Sequence, residues 1–327
     1  MMSRFRIRWD EPTGPAPIDL FLTTLGYESR SGEIARTVDS SAKRRIAIPF
    51  NSNQVLGFEA NRSYFSKNGY EIPEVPEASF GESVALALLE IAKERPAPRV
   101  CVDVSCMTRE RMAKVVLACL AHPGPMELEL LYGLAAFQRI KEDDAPTLYH
   151  GPVLNEFAGW TRYPEVPSFA ILGLGFEGNR LLGTLDHLEP SEWRAFLPLG
   201  ADRRFEREVA RRNDALLTGT KPMWISRYDV RSPNRLLAQL LSLLGGLVTH
   251  RSVVVLPFGP KVFCLASLLA SATLDFAVGV WRVSAAEAHA PIDRHLDRGT
   301  VRLRISLRPA QQNYPSPSAE TPSAVPS

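Results

Sequence analysis

The chain has 327 residues, of which 45% are hydrophobic and 23% charged, and its net charge at pH 7 is +2. This composition excludes the disordered and fibrous classes of protein, and the length suffices for two domains of ordinary size. The small net charge argues against a nucleic-acid groove, which usually shows a strongly basic face. We therefore do not expect a nucleic-acid partner.

The sequence shows no signal for a membrane or a metal. No apolar run approaches the roughly 18–20 residues of a membrane span, and the N-terminal MMSRFRIRW has no apolar stretch of the kind found in secretory signals. The cysteines lack paired metal-ligand spacing, which is typical of free thiols in a reducing compartment; they are Cys101, Cys106, Cys119 and Cys264. We expect a cytoplasmic protein with no membrane partner, no metal and no cofactor.

A repeated segment organises the chain. Residues 19–30 read DLFLTTLGYESR, and residues 169–180 read FAILGLGFEGNR. Each is an apolar run followed by Leu-Gly-aromatic-Glu and then an arginine. The glycines of the two motifs, Gly26 and Gly175, are 149 residues apart. A repeat of this size indicates an internal duplication.

The following elements recur in the same order. Pro49 and Pro198 lie in the next apolar run of each half and keep the spacing of 149. Two β-branched runs, 99–104 and 252–256, each follow one helical segment and lead into another at a slightly larger spacing. Strands separated by helical segments of 10–20 residues form parallel sheets with right-handed crossovers. We predict an α/β fold of two tandem Rossmann-like domains, each with an open, mostly parallel sheet.

Turn and breaker residues set the predicted boundaries. The first domain covers residues 1–145, a linker covers 146–166, and the second domain covers 167–307. The second domain ends in a segment of alternating apolar and polar residues from about His295, which predicts a half-buried edge strand. Residues 308–327 are rich in Pro and Ser, and we predict a disordered tail there.

The candidate site lies where strands end. In open parallel sheets, ligands bind beyond the carboxyl ends of the strands, next to helix N-termini that offer free backbone N–H groups. In the first half the candidate ligand-binding residues are Gly26, Tyr27, Arg30, Ser105, Thr108 and Arg109. In the second half they are Gly175, Glu177, Arg180, Gly259 and Lys261.

The turn from Asp103 to Arg109 is the most informative of these. Arg109 stands in a first helical turn, where the helix dipole disfavours a cation, so an anion shared with backbone N–H groups would explain it. The alternative is that Ser105 or Thr108 only caps the helix. That alternative accounts for one hydroxyl and leaves the Asp and the Arg unexplained.

Two functions follow from these residues. One is a module that binds a nucleotide-type, phosphate-bearing ligand. The other is an enzyme on nucleotides or sugar phosphates that uses Glu28 or Asp103 as a catalytic carboxylate. Glu28 could instead be a first-turn stabiliser or a partner for Arg30. Gly173, Gly175 and Gly178 also fit the dinucleotide pattern G-x-G-x-x-G, which leaves a dinucleotide site as a further alternative, although no acidic residue is convincingly placed about 20 positions later.

Two turns, Asp103–Arg109 and Thr23–Gly26, resemble those of CRISPR-associated Rossmann fold domains, in which a strand ends in a small polar turn with a basic residue. Tandem copies occur in that family. The resemblance implies recognition of a cyclic or linear oligonucleotide signal in prokaryotic defence. It also implies a role as a sensor or accessory component that acts on a partner protein from the same operon.

Overall fold

The computed structural model describes residues 5–8, 17–37, 42–139, 147–159, 165–219, 221–285 and 291–309. Of the predicted disordered tail, residues 308–327, the structure describes only Arg308 and Pro309, which end a strand and so correct its first bound; the rest lies outside the described residues. The strands are β1 (Phe5–Arg8), β2 (Leu20–Leu25), β3 (Arg44–Pro49), β4 (Arg99–Asp103), β5 (Met126–Ala135), β6 (Thr147–Pro152), β7 (Ser168–Gly173), β8 (Glu192–Leu199), β9 (Ile225–Asp229), β10 (Ser252–Pro257), β11 (Gly279–Ala285) and β12 (Leu296–Pro309). The α-helices are α1 (Arg30–Thr37), α2 (Phe58–Lys67), α3 (Phe80–Glu94), α4 (Arg109–Leu120), α5 (Gly178–Leu188), α6 (Arg203–Arg212), α7 (Asp214–Thr218), α8 (Pro233–Leu247) and α9 (Lys261–Thr273).

The strands form two mixed, mostly parallel sheets, which confirms the predicted α/β class. The first sheet has the order β1-β12-β5-β4-β2-β3, and the second has the order β6-β11-β10-β7-β8-β9. In the first half Glu71 makes an isolated parallel bridge to Ile46 of β3, at the place where β9 pairs with β8 in the second half. With this bridge counted, both halves have the strand order 3-2-1-4-5 of doubly wound Rossmann folds. The duplication seen in the sequence therefore extends to the order of the strands.

Each sheet is completed by a strand that lies outside the predicted bounds of the domain it joins. β12 lies antiparallel to β5 in the first sheet, and β6 lies antiparallel to β11 in the second. The structure thus corrects two expectations, because the C-terminal strand does not extend the second sheet and the segment expected to be a linker contains β6. β12 is also not an edge strand, since β1 pairs with its outer side. The alternation in β12 specifies a half-buried strand but carries no information about which strand it pairs with.

The two halves pack against each other through α4 and α9. Residues 262–272 of α9 are all buried, as expected for a helix that is apolar on every side. One continuous hydrophobic core contains Val116 of α4 and Leu268 of α9 together with residues of both sheets. α4 begins after Thr108, whose hydroxyl accepts a hydrogen bond of 3.1 Å from the backbone N–H of Arg111. This packing places the first turns of α4 and α9 side by side.

The exchanged pairing makes a prediction about Leu303, which is 1% exposed and lies opposite Leu130 of β5. Leu303→Ala should lower the free energy of unfolding by about 2–5 kcal/mol, because it leaves a cavity in the core. Hydrogen exchange followed by mass spectrometry should show faster exchange in β4 and β5. The matched control is Leu148→Ala on β6, which removes a side chain that is 72% exposed and should change little. Faster exchange confined to β10 and β11 would contradict the pairing.

Candidate functional site

The carboxyl ends of both parallel sheets open onto one cleft of about 1190 Å³. Its walls include the turns that follow β2 and β4 in the first half and those that follow β7 and β10 in the second. These are the strands on either side of the point where the strand order reverses, which is where ligands bind in open α/β sheets. The duplication therefore creates a cleft that the two halves share.

The structure brings most of the predicted site residues together. Those that line the cleft are Gly26, Tyr27, Glu28, Arg30, Thr108, Arg109, Gly175, Glu177, Arg180, Gly259 and Lys261. Two of the predicted residues lie beneath it instead. Asp103 is 1% exposed and Ser105 is fully buried.

Asp103 belongs to a hydrogen-bonded network under the floor of the cleft. Its carboxylate accepts hydrogen bonds from the backbone N–H of Ser105 at 2.9 Å, the Ser105 hydroxyl at 2.5 Å and the Thr23 hydroxyl at 3.2 Å. The Ser105 hydroxyl in turn accepts from the backbone N–H of Gly133 at 2.7 Å. Burial raises the pKa of Asp103, although these hydrogen bonds favour its charged form. The network joins the ends of β2, β4 and β5, and the carboxylate does not reach the cleft.

Arg30 is turned inward and is 1% exposed. Its Nε donates to Glu28 Oε2 at 2.6 Å, and its two terminal nitrogens donate to the carbonyl oxygens of Gly133 at 3.0 Å and Ser105 at 2.9 Å. Of the alternatives for Glu28, the structure contains the ion pair with Arg30. Most of the N–H groups of this guanidinium are therefore used in hydrogen bonds within the protein.

Sequence reasoning missed a pair of buried asparagines that fix the turns after β2 and β7. Asn61 of α2 donates to the carbonyl oxygen of Gly26 at 3.0 Å, and Asn213 at the end of α6 donates to that of Gly175 at 2.9 Å. The two asparagines are 4% and 2% exposed. They lie 152 residues apart, so extending the repeat comparison past the paired prolines could have found them.

The starts of α4 and α9 make reciprocal contacts across the interface between the halves. Arg109 Nε donates to the carbonyl oxygen of Pro257 at 2.8 Å, and Lys261 Nζ donates to that of Ser105 at 2.5 Å. Arg109 and Lys261 are 152 residues apart, and so are Ser105 and Pro257. Contacts that repeat in this way are typical of a two-fold symmetric dimer interface. Here both partners belong to one chain.

Lys261 and Arg294 add positive charge to the cleft. Burial and then the neighbouring charge of Arg30 lower the pKa of Lys261 to about 8. Arg294 lines the cleft, and its charge acts on both Lys261 and Tyr27. No sequence motif marks Arg294, because it lies in the segment that joins the second half to β12.

The segment that carries Arg294 is tied to the start of α1. Asp293 accepts hydrogen bonds from the backbone N–H and the hydroxyl of Ser29, at 2.7 and 2.6 Å. The carbonyl oxygen of Arg294 accepts from the backbone N–H of Arg30 at 3.1 Å. A carboxylate at a helix N-terminus is favoured by the helix dipole. These contacts hold Arg294 beside the turn that follows β2.

Cys106 lines the cleft next to Glu28. Burial, followed by the Glu28 charge, raises the pKa of its thiol to about 12. The thiol is therefore protonated near pH 7 and is a poor nucleophile.

The described residues contain no group of three or more His, Cys, Asp or Glu side chains placed to hold a metal ion. Among the helices of the described ranges, none has the length and apolar character needed to cross a membrane.

The two motif glycines have different surroundings. A Cβ atom on Gly175 would lie 2.2 Å from the carbonyl oxygen of Phe258, and one on Gly259 would lie 2.6 Å from that of Leu174. A Cβ atom on Gly26 would meet only side-chain atoms, at 3.6 Å or more. Glycine is thus required at 175 by the close approach of another backbone, whereas position 26 has room for a methyl group.

This difference predicts unequal effects of the same substitution. Gly175→Ala should lower the free energy of unfolding by about 1–3 kcal/mol, because the backbones must move apart. Gly26→Ala should stay within about 0.5 kcal/mol of the unsubstituted protein. Urea denaturation measures both, and equal losses at the two positions would contradict the geometry.

Arg30 should be important for stability. Arg30→Gln leaves Glu28 without its partner and removes the guanidinium donors to the carbonyl oxygens of Gly133 and Ser105, so we expect a loss of about 3–5 kcal/mol in the free energy of unfolding. Arg44→Gln is the matched control, since Arg44 pairs with Glu71 on the surface and such pairs contribute about 0–1 kcal/mol. Similar small losses for both variants in urea denaturation would show that Arg30 does not hold the turns together.

Comparison with known proteins gives only distant likenesses. No protein family model matches the chain, and no curated protein matches it. A crystal structure of UDP-GlcNAc 2-epimerase from Neisseria meningitidis, bound to UDP-GlcNAc, is 9% identical over 72% of this chain and 76% of its own, with a TM-score of 0.22. An N-terminal ketoreductase from the macrolactin assembly line is 10% identical over 84% of this chain and 73% of its own, with a TM-score of 0.21. At these TM-scores the likenesses carry no argument about function, and the fold assignment depends on the strand order itself.

Proposed function

We propose that the chain is a binding protein that holds a nucleotide-type, phosphate-bearing ligand in the shared cleft. One observation carries this proposal. Arg109, Lys261 and Arg294 line the cleft, and within the described residues none of them has a carboxylate partner.

An anion would balance these charges. Arg109 and Lys261 are the first residues of their helices, where the partial positive charge of the helix N-terminus adds to their own. A phosphate in the cleft could accept hydrogen bonds from both the side chains and the free backbone N–H groups. The arrangement is therefore more favourable with an anion bound than without one.

The size and the walls of the cleft favour a nucleotide over a bare phosphate. Ligand pockets commonly measure about 300–1,000 Å³, and the cleft of about 1190 Å³ is somewhat larger than that range. Aromatic side chains line it beside the basic groups; they include Tyr27, Phe50, Phe176 and Phe258. Aromatic faces of this kind are suited to stacking against a base.

Binding is favoured over catalysis by the state of the candidate catalytic groups. Glu28 is paired with Arg30, Asp103 is buried beneath the cleft, and the thiol of Cys106 is protonated. A general acid or base must reach the substrate, and a nucleophile must be available in its reactive form. The residues that line the cleft are therefore better suited to binding an anionic ligand than to catalysing a reaction.

We further propose, from the resemblance of its strand-end turns, that the protein is a sensor or accessory component of a prokaryotic defence system. A ligand in a cleft lined by both halves would contact both and could change how they pack. A partner protein from the same operon would respond to that change in packing.

The test is to identify what the protein binds. Purified protein should release a nucleotide or oligonucleotide that mass spectrometry detects after denaturation. Added nucleotide at about 100 times its Kd should raise the free energy of unfolding by about 2.7 kcal/mol. The double variant Arg109→Gln/Lys261→Gln should lose both effects.

Two outcomes would change the conclusion. If no nucleotide is recovered and none stabilises the protein, the proposal is wrong. If the bound nucleotide is converted to a product and Glu28→Gln slows that conversion by about a hundredfold or more, the protein is the enzyme of the alternative hypothesis.

A further inference from the structure

The shared cleft contains two crevices that the duplication would make equivalent. We call the space between the turns after β2 and β4 the first crevice, and the space between the turns after β7 and β10 the second crevice. In the second crevice the backbones at Gly175 and Gly259 are in contact with the opposite turn. In the first, the nearest atoms to a Cβ on Gly26 are side-chain atoms of Phe50 and Cys106, at 3.6 and 3.7 Å. Close backbone contacts therefore close the second crevice, whereas the first crevice is bounded by side chains.

The charges of the two crevices differ as well. Arg30, Lys261 and Arg294 surround the first crevice, with Glu28 as the carboxylate that faces them and Asp103 buried beneath. Glu28 is already neutralised by its ion pair with Arg30. The first crevice therefore carries excess positive charge.

A carboxylate stands over the second crevice. Glu177 Oε2 lies 2.8 Å from the position that a Cβ of Gly175 would occupy. An anion placed there would meet this negative charge and a closed backbone. Arg180 and Arg212 of the second half also line the cleft, so the close approach of the two backbones, more than charge, makes the second crevice unsuited to phosphate.

We propose that the chain binds the phosphate or pyrophosphate group of one ligand at the first crevice, where Lys261 from the second half and Arg294 from the segment before β12 hold it, and that the second crevice binds none. This inference rests on the proposed function and assigns the anionic part of the ligand to one of two duplicated positions. In this arrangement the second half has no phosphate site of its own, and it contributes Lys261 to the site of the first half.

The hydrogen bonds already made by each basic group support this assignment. Lys261 uses one of its three N–H groups on the carbonyl oxygen of Ser105, which leaves two that can reach a ligand beside Cys106. Arg294 makes no side-chain hydrogen bond within the described residues. Arg109, the counterpart of Lys261, is anchored by Nε at the end of β10, next to the second crevice.

A chemical label tests the position of Lys261. Pyridoxal 5′-phosphate carries a phosphate and an aldehyde; the aldehyde condenses with a neutral lysine amine to give an imine and water, and borohydride reduces the imine to a stable secondary amine. We expect labelling at Lys261 to be about tenfold or more greater than with pyridoxal, which lacks the phosphate. Inorganic pyrophosphate should protect Lys261. Labelling should increase as the pH rises through about 8, where burial and the charge of Arg30 place the pKa of this amine.

Lys114 is the internal control, because it pairs with Glu110 at 3.0 Å outside the first crevice. Both reagents should label it equally. If the phosphate gives no preference for Lys261, or if pyrophosphate does not protect it, the inference is wrong.

Calorimetry with inorganic pyrophosphate tests how many sites each chain has and whether Lys261 contributes to the site. We expect one site per chain, with binding weakened about tenfold or more by Lys261→Gln and about threefold or less by Lys114→Gln, which lies outside the first crevice. Lys261→Arg keeps the charge and should retain binding, which separates loss of the cation from loss of the fold. Two sites per chain, or equal losses for the two Gln variants, would overturn the inference while leaving the proposed function intact. Failure of every nucleotide and of pyrophosphate to bind would remove both.

Discussion

A guanidinium cut off from water needs acceptors for its N–H groups, and Arg30 obtains them from three separate strand ends. Its partners are Glu28, after β2, and the carbonyl oxygens of Ser105, after β4, and Gly133, in β5. An unpaired buried charge would cost several kcal/mol, so these turns can have only a narrow range of positions relative to one another. The carbonyl oxygen of Ser105 also accepts from Lys261, which extends the same constraint into the second half. The floor of the cleft and the junction of the halves thus depend on one set of hydrogen bonds.

The sequence predicted those parts of the structure that local patterns determine. Apolar runs, helical segments and the repeat at Gly26 and Gly175 were sufficient for the α/β class, the duplication and the turns that line the cleft. The partner of β12 could not be predicted, because alternation specifies a face and not a neighbour. Arg30 and Asp103 were expected to face a ligand, and they turn inward because acceptors and donors from distant strands meet there. The role of Arg294 depends on where the last strand pairs, so no local signal marks it.

The duplication left the two copies of the motif under different constraints. In the second half, Gly175 and Gly259 allow the two turns to touch. In the first half, side chains separate the corresponding turns. Arg109 and Lys261 still donate equivalent hydrogen bonds, each to a carbonyl oxygen at a strand end of the other half. The interface therefore keeps this part of the original symmetry. Specialisation has affected the turns more than the interface between the copies.

The pairing of β12 with β5 also bears on how the protein folds as it is synthesised. β5 ends at Ala135, whereas β12 begins at Leu296. At about 5–20 residues per second, the ribosome needs roughly 8–32 s to make the intervening chain, far longer than the time in which a small domain folds. During this interval the outer edge of β5 lacks its partner and is open to pairing with other strands. The first half therefore cannot reach its final form before the second half has been made, and the nascent chain is exposed to chaperones and to other copies of itself at that edge.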